Sequence, residues 1–198
     1  YYIHAMVKKI IPFLSLLILI SCKGTGKYTD LQSLTIGILS TDDYNLPPTL
    51  INDSIGLKVN VIRFETSLER NNALTSGKID GITTDFLDAA ILEATGIPLQ
   101  IVMKNDSNFQ LITGIGKNIR SLDLLKGRNI AVEKNTIIEY LTDRILESAN
   151  IPTDTGVNKA DIKRTSLRLN LLQNGLIDGA VLPGKYAKTA VEQGNYSL

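Results

Sequence analysis

The chain has no tryptophan, and histidine and cysteine occur once each in its 198 residues. One cysteine can make neither an intrachain disulfide nor a cysteine zinc cluster. The lone histidine, His4, stands at the extreme N-terminus and leaves almost no means for histidine-based acid–base chemistry. Aromatic residues, at 6%, are too few for a platform that stacks single-stranded bases. Charge of one sign is also missing: Lys plus Arg total 21 and Asp plus Glu 20, a formal net charge of +1. Binding nucleic acid by bulk electrostatics needs a basic field that displaces counterions, so that class is excluded. What remains is a globular composition, 43% hydrophobic and 21% charged.

The longest apolar run is Ile10–Ile20, preceded by Met6-Val7-Lys8-Lys9 and followed by Ser21-Cys22. Eleven helical residues would span about 16 Å, roughly half of a hydrocarbon core, so the run is too short to cross a membrane. A short basic stretch, an apolar core and a small residue describe a secretory signal, with Met6 as the expected start. Leu19-Ile20-Ser21-Cys22 resembles the lipobox of bacterial lipoproteins. That resemblance implies cleavage before Cys22 and a lipid on its sulfur. Removing residues 1–21 deletes Lys8, Lys9 and His4, so the balance becomes 19 minus 20, or −1. Residues 22–32, polar and with two glycines, suit a tether.

Beyond the tether one pattern occurs twice. Leu34–Leu39 and Val59–Phe64 predict strands, and Ser67–Ser76 a helix closed by Gly77. Ile79–Ile82 predicts a third strand, and Phe86–Ala94 a helix. Further on, Asn129–Val132 predicts a strand and Ile137–Ala149 a helix. A weak strand is expected around Asp161–Lys163, then a helix over Ser166–Asn174 and a strand over Ile177–Val181. Gly77-Lys78-Ile79-Asp80-Gly81 and Gly175-Leu176-Ile177-Asp178-Gly179 share four of five residues, 98 apart. Two strand–helix units imply an α/β fold of two lobes, 33–105 and 106–198, with mainly parallel sheets flanked by helices. Leu99–Met103 and Gln110–Thr113 predict strands that carry the chain between lobes.

Within the repeat, the first Gly ends a helix, the Ile enters the core and the Asp accepts backbone hydrogens. The second Gly permits close backbone approach. In open parallel sheets ligands bind beyond the carboxyl ends of strands, near helix N-termini. That rule selects four polar stretches. In the first lobe the candidate ligand contacts are Ser40, Thr41, Asp42, Asp43, Tyr44, Thr83, Thr84 and Asp85. In the second they come from Glu133–Thr136, chiefly Asn135 and Thr136, and from Pro183 and Lys185. No metal, cofactor or catalytic residue is expected.

Ser121–Val132 (SLDLLKGRNIAV) resembles the S-L-x-D-L-K-G-K-x-I-A-V signature of ABC-transporter substrate-binding proteins, nearest to the nitrate, sulfonate, taurine and thiamine-precursor branch. Leu74–Gly81, Asn135–Tyr140 and Ile177–Pro183 are similar to three further elements of that branch, in the same order. The resemblance implies a periplasmic-binding-protein fold of type 2, closing over a small polar solute and presenting it to ABC permease subunits. It implies a monomer in the bacterial cell envelope, periplasmic or extracytoplasmic, held to the membrane through Cys22. Members run longer, so the second hinge crossing and the C-terminal return to the first lobe are expected to be absent here. Gly184-Lys185 stand where members often carry an acidic or aromatic residue and a second proline. Asp42 and Asp43, if they face the cleft, would favour a cationic ligand such as a thiamine precursor over sulfonate or nitrate. A ligand-sensing bilobal module is the alternative use of such a fold. Thiamine-pyrimidine synthases share the shape but use an active-site histidine and a cysteine-rich iron site, which the mature chain does not supply, so no enzyme activity is expected.

Overall fold

The computed structural model describes residues 33–40, 57–104 and 106–198. The expected signal segment, Cys22, the expected tether, Thr41–Tyr44 and Pro47-Pro48, whose missing amide hydrogens suit the opening of a helix, lie outside the described residues. Two separate sheets carry the fold, both within the unit Gln32–Leu198.

The first sheet has the order β2-β1-β3, from β1 (Ser33–Leu39), β2 (Lys58–Phe64) and β3 (Gly81–Ile82), and every pair in it is parallel. Ile36 and Ile38 of β1 are buried, with Leu34 and Val59 packed against them. Helix α1 (Ser67–Thr75) connects β2 to β3, and α2 (Phe86–Ala94) follows β3. Thr66 caps α1 by accepting the Glu69 amide, the Thr-x-x-Glu start that satisfies an otherwise orphaned donor.

The second sheet has the order β6-β5-β7-β4-β8. Its strands are β4 (Phe109–Thr113), β5 (Asn129–Val132), β6 (Asn158–Asp161), β7 (Gly179–Pro183) and β8 (Tyr196–Ser197). β5 pairs in parallel with β6 and β7, while β4 runs antiparallel to β7 and β8. Helices α3 (Ile137–Ser148), α4 (Thr165–Gln173) and α5 (Gly184–Glu192) flank it. Side chains alternate between its faces as a pleated strand requires. Leu111, Ile130, Val132 and Val181 join Ile138 and Leu146 of α3 in one core. Ile112, Ala131, Ala180 and Leu182 join Leu172 of α4 and Ala187 and Ala190 of α5 in another. Burial on both faces explains why these strands read as unbroken apolar runs.

The four expected helices fall within a residue or so of their bounds, α5 was not expected, and the left-handed turns at Gly77 (φ 68°) and Gly175 (φ 62°) end α1 and α4. Five expectations need correction. Leu99–Met103 is not a strand: Ile101, Val102 and Met103 are exposed, Val102 at 86%. Its β-branched residues carry propensity, but a strand forms only where a neighbour supplies the ladder, and none of the described strands pairs with it. The strand expected at Asp161–Lys163 lies earlier, at Asn158–Asp161, because the parallel register sets Asn129 opposite Asn158. Both strands expected from the repeat begin at its second glycine: Ile79–Ile82 narrows to Gly81–Ile82, and Ile177–Val181 becomes Gly179–Pro183. Pro183–Lys185 is not a polar loop: Pro183 closes β7 and caps α5, and Lys185 sits in the first turn of that helix. Among the described residues no helix is long and apolar enough to cross a membrane.

Candidate functional site

The carboxyl ends of the parallel strands carry the polar groups in both halves. Beyond β1, Ser40 donates from Oγ to Glu65 Oε1 at 2.8 Å, tying the end of β1 to the end of β2. Beyond β3, the Thr83 amide continues the ladder to the Gly37 carbonyl at 3.0 Å. Thr84 Oγ1 donates to Asp88 Oδ2 at 2.7 Å, and Asp85 caps α2, its carboxylate accepting the Asp88 amide at 2.9 Å. Beyond β5, Thr136 Oγ1 donates to the Glu133 carbonyl at 2.7 Å and accepts the Ile138 amide, capping α3. Asn135 adopts φ 63°, and its amide donates to Glu139 Oε2 at 2.8 Å. These side chains shape strand-to-helix turns, with their polar atoms turned onto neighbouring backbone and carboxylates.

Two buried arginines organise these turns, and the sequence reading missed both. Arg70 of α1 is 2% exposed and Arg168 of α4 is 0% exposed. They stand 98 residues apart, the spacing of the repeated Gly-x-Ile-Asp-Gly element, so that spacing was the signal that could have found them. Arg70 donates from Nη1 to the Thr83 carbonyl at 2.6 Å and from Nη2 to Thr84 Oγ1 at 3.0 Å, and it pairs with Asp88. Arg168 donates from Nη1 to the carbonyls of Ile162 at 2.6 Å and Lys163 at 3.1 Å, and from Nη2 to Thr165 Oγ1 at 2.7 Å. Its ion-pair partner is Glu133, with Nη1 3.6 Å from Oε2. Each arginine thereby fixes the loop beyond a strand end. A cation can be kept at such depth only where carbonyls and a carboxylate compensate its lost hydration.

Burial pushes the Glu133 carboxyl above its ordinary 4.5, opposed by the Arg168 charge and hydrogen bond, by Lys163 and by the Ser67 backbone amide. Burial likewise lowers the Arg168 guanidinium, opposed by Glu133 and Asp161.

A cleft of about 470 Å³ opens where the two halves face each other. Thr66, Leu68 and Glu69, at the start of α1, line one side; Asp161–Arg164 and Leu167, from the end of β6 to the first turn of α4, line the other. Lys163 and Arg164 offset Glu69 and Asp161 in charge. Among the described residues, none of those expected to contact ligand lines this cleft. Thr83, Thr84 and Asp85 gather around Arg70 and Asp88, Asn135 and Thr136 gather at the start of α3 beside Glu133, and Ser40 is drawn to Glu65. Among the described residues, no group of three His, Cys, Asp or Glu side chains is placed to hold a metal ion.

No protein-family model matches the chain, and no curated protein matches it. Solved structures do. One is the ligand binding component of an ABC-type import system from Staphylococcus aureus, solved with zinc bound. It is 16% identical, with a TM-score of 0.67, over 84% of this chain and 60% of that one. Another is the periplasmic aliphatic sulphonate binding protein of Escherichia coli, 20% identical, with a TM-score of 0.64, over 84% of this chain and 56% of that one. A third, from Prochlorococcus marinus in complex with methylphosphonate, is 11% identical, with a TM-score of 0.68, over 84% of this chain and 71% of that one. The chain therefore spans less than two thirds of the first two. At these identities the likeness is one of fold, and the chain has the α/β fold of the solute-binding components of ABC importers.

Proposed function

We propose that the protein is a solute-binding lipoprotein that captures a small polar molecule between two lobes and delivers it to an ABC permease. The observation that carries this reading is the cleft between the first turns of α1 and α4, where Thr66, Glu69, Asp161, Lys163 and Arg164 from both halves stand among Leu68, Ile162 and Leu167. The lobes divide near residue 105, and closing one on the other would let each supply part of the contacts. Ser40–Tyr44, Thr83–Asp85, Asn135, Thr136, Pro183 and Lys185 are the candidate contacts around the strand ends, and Thr66, Glu69, Lys163 and Arg164 join them from the cleft itself. The protein acts outside the cytoplasm, anchored through Cys22, as a monomer and without catalysis.

The test is a thermal-shift screen of the purified protein against thiamine-pyrimidine precursors, sulfonates, phosphonates, nitrate, amino acids and polyamines. A solute that binds only the folded state adds RT ln(1 + [L]/Kd), about 2.7 kcal/mol at a hundredfold excess over Kd. A saturable shift with one class supports the reading. No shift with any of them overturns these ligand classes. With a binder in hand, Lys163→Ala and Arg164→Ala should each weaken it, and unchanged affinity in both would move the site away from this cleft.

A further inference from the structure

Arg70 and Arg168 hold matching places in the two halves, yet only Arg168 reaches a wall of the cleft. Arg70 takes the Thr83 carbonyl, the Thr84 hydroxyl and Asp88, and none of these lines the cleft. Arg168 takes the carbonyls of Ile162 and Lys163 with Nη1, and both residues line it. Its Nη2 takes Thr165 Oγ1, in the first turn of α4, between Arg164 and Leu167 of the same wall. Arg168 is fully buried and does not itself line the cleft. Its Nε has no hydrogen-bond partner among the described residues, so the fork serves this wall and Glu133. Two further bonds tie the wall to β5 and the turn beyond it. The Ile162 amide donates to the Val132 carbonyl at 2.8 Å, and the Lys134 amide donates to Asp161 Oδ1 at 3.2 Å.

We propose that Arg168 is the positioning residue of the cleft's second-half wall: its fork fixes Ile162, Lys163 and the first turn of α4, and so sets where Lys163 and Arg164 present their charges. Both of these cations are exposed, and side chains that meet a ligand keep their geometry only when the shell behind them is held. A guanidinium offers donors in a fixed plane, a geometry that the single nitrogen of lysine does not reproduce. A wall set in advance also lowers the ordering entropy that binding must overcome. The purpose of the wall rests on the reading of the cleft as the solute site, whereas the positioning itself needs no solute. Arg70 is the matched control, buried to nearly the same degree but holding a turn away from the cleft.

Spin labels at Lys126→Cys and Ser166→Cys, in the full chain carrying Cys22→Ser and without solute, report by pulsed electron paramagnetic resonance how firmly the wall is held. Ser166 belongs to the first turn of α4, and Lys126 precedes β5. Both sites are exposed and both lie in the second half, so movement between the halves does not enter. Arg168→Lys keeps a charge beside Glu133 but has one nitrogen for three acceptors. It should be more stable than Arg168→Met in urea melts and yet share its broadened distance distribution, whereas a purely structural role would restore both together. Arg70→Met, although destabilised, should keep the narrow distribution of the unsubstituted protein. An Arg168→Lys distribution superimposable on the unsubstituted one overturns the proposal, as does equal broadening in Arg70→Met. Should both Arg168 variants fail to fold, Thr165→Val, which removes one acceptor and keeps the side-chain shape, decides by the same criterion. With no solute in the measurement, a failed solute screen and a failed positioning role are read separately.

Discussion

Asp178 and Asn129 exchange two hydrogen bonds: the Asn129 amide donates to Asp178 Oδ2 at 2.9 Å, and the Asp178 amide donates to the Asn129 carbonyl at 2.9 Å. Asp80 and Thr35 do the same in the other half, at 2.7 and 2.8 Å. Each pair clips the N-terminal part of one parallel strand, β1 or β5, to the strand that enters beside it, β3 or β7. The aspartate of the repeated element is therefore a fold-forming residue, as its position between two glycines suggests.

The two clips should differ in strength. Asp178 is buried and also meets Lys117 Nζ at 3.3 Å, whereas Asp80 is exposed. A hydrogen bond to a charged group contributes about 1.5–3 kcal/mol when buried. Asp178→Ala should therefore lower the unfolding free energy by about 2–3 kcal/mol, and Asp80→Ala by about 1 kcal/mol, in urea melts. Equal losses would mean that burial does not set the strength of these clips.

The buried arginines predict a second pair of effects. Removing one partner of a buried ion pair costs about 3–5 kcal/mol, because the other is left charged and without compensation. Arg70→Met keeps the aliphatic stem but strands Asp88 and the Thr83 carbonyl, and Arg168→Met strands Glu133 and the carbonyls of Ile162 and Lys163. Both variants should lose stability within that range by denaturant titration. A loss below 1 kcal/mol in either would place its arginine outside the framework of the fold.

Much of this framework was legible because it rests on local rules. The period of Ile137–Ala149 and the left-handed glycines that end α1 and α4 each act over a few residues. The caps Thr66, Asp85 and Thr136 also act locally, but in the sequence Asp85 and Thr136 read as ligand contacts. The arginines were illegible for the opposite reason. An arginine within a polar helix start reads as solvated, and only the partners gathered from β3, β5 and β6 make it a core residue. The same holds for Leu99–Met103, where strand propensity is present and a pairing partner is not. The cleft escaped for a related cause, since its described lining is the start of α1 (Thr66, Leu68, Glu69) and the stretch from the end of β6 into α4 (Asp161–Arg164, Leu167), and not the expected turns beyond β3, β5 and β7.

Glu133 predicts a pH dependence of definite sign. Burial raises its pKa in the folded chain above the ordinary 4.5, so the folded state holds this proton more tightly than the unfolded state. The stability it contributes is fully present below 4.5 and is lost as pH rises through the folded value. Glu133→Gln abolishes that titration. The stability of the wild type minus that of Glu133→Gln should therefore fall as pH rises from 4 upward, and then level off. A difference that grows with pH over this window would mean that Arg168 outweighs burial.

Two glycines of the first sheet, Gly37 in β1 and Gly81 in β3, should respond oppositely to a methyl group. At Gly37, in the middle of β1, an added Cβ would come 2.6 Å from Ile79 Cδ1, 3.0 Å from Phe64 Cε2 and 3.4 Å from Arg70 Cγ. The stem of the buried arginine crosses β1 here, and only a missing side chain leaves room for it and for Ile79. Overpacking of this kind costs about 1–3 kcal/mol. Gly81, expected from the repeat to permit close backbone approach, has nothing among the described residues within 4 Å of an added Cβ, whereas its counterpart Gly179 would meet Ile130 Cδ1 at 3.0 Å. Gly37→Ala should accordingly lower the urea midpoint, while Gly81→Ala leaves it unchanged or raises it by narrowing the unfolded ensemble. If Gly37→Ala proved neutral, the packing of Arg70 and Ile79 over β1 would have to be looser than these distances state, and the predicted cost of Arg70→Met would fall with it.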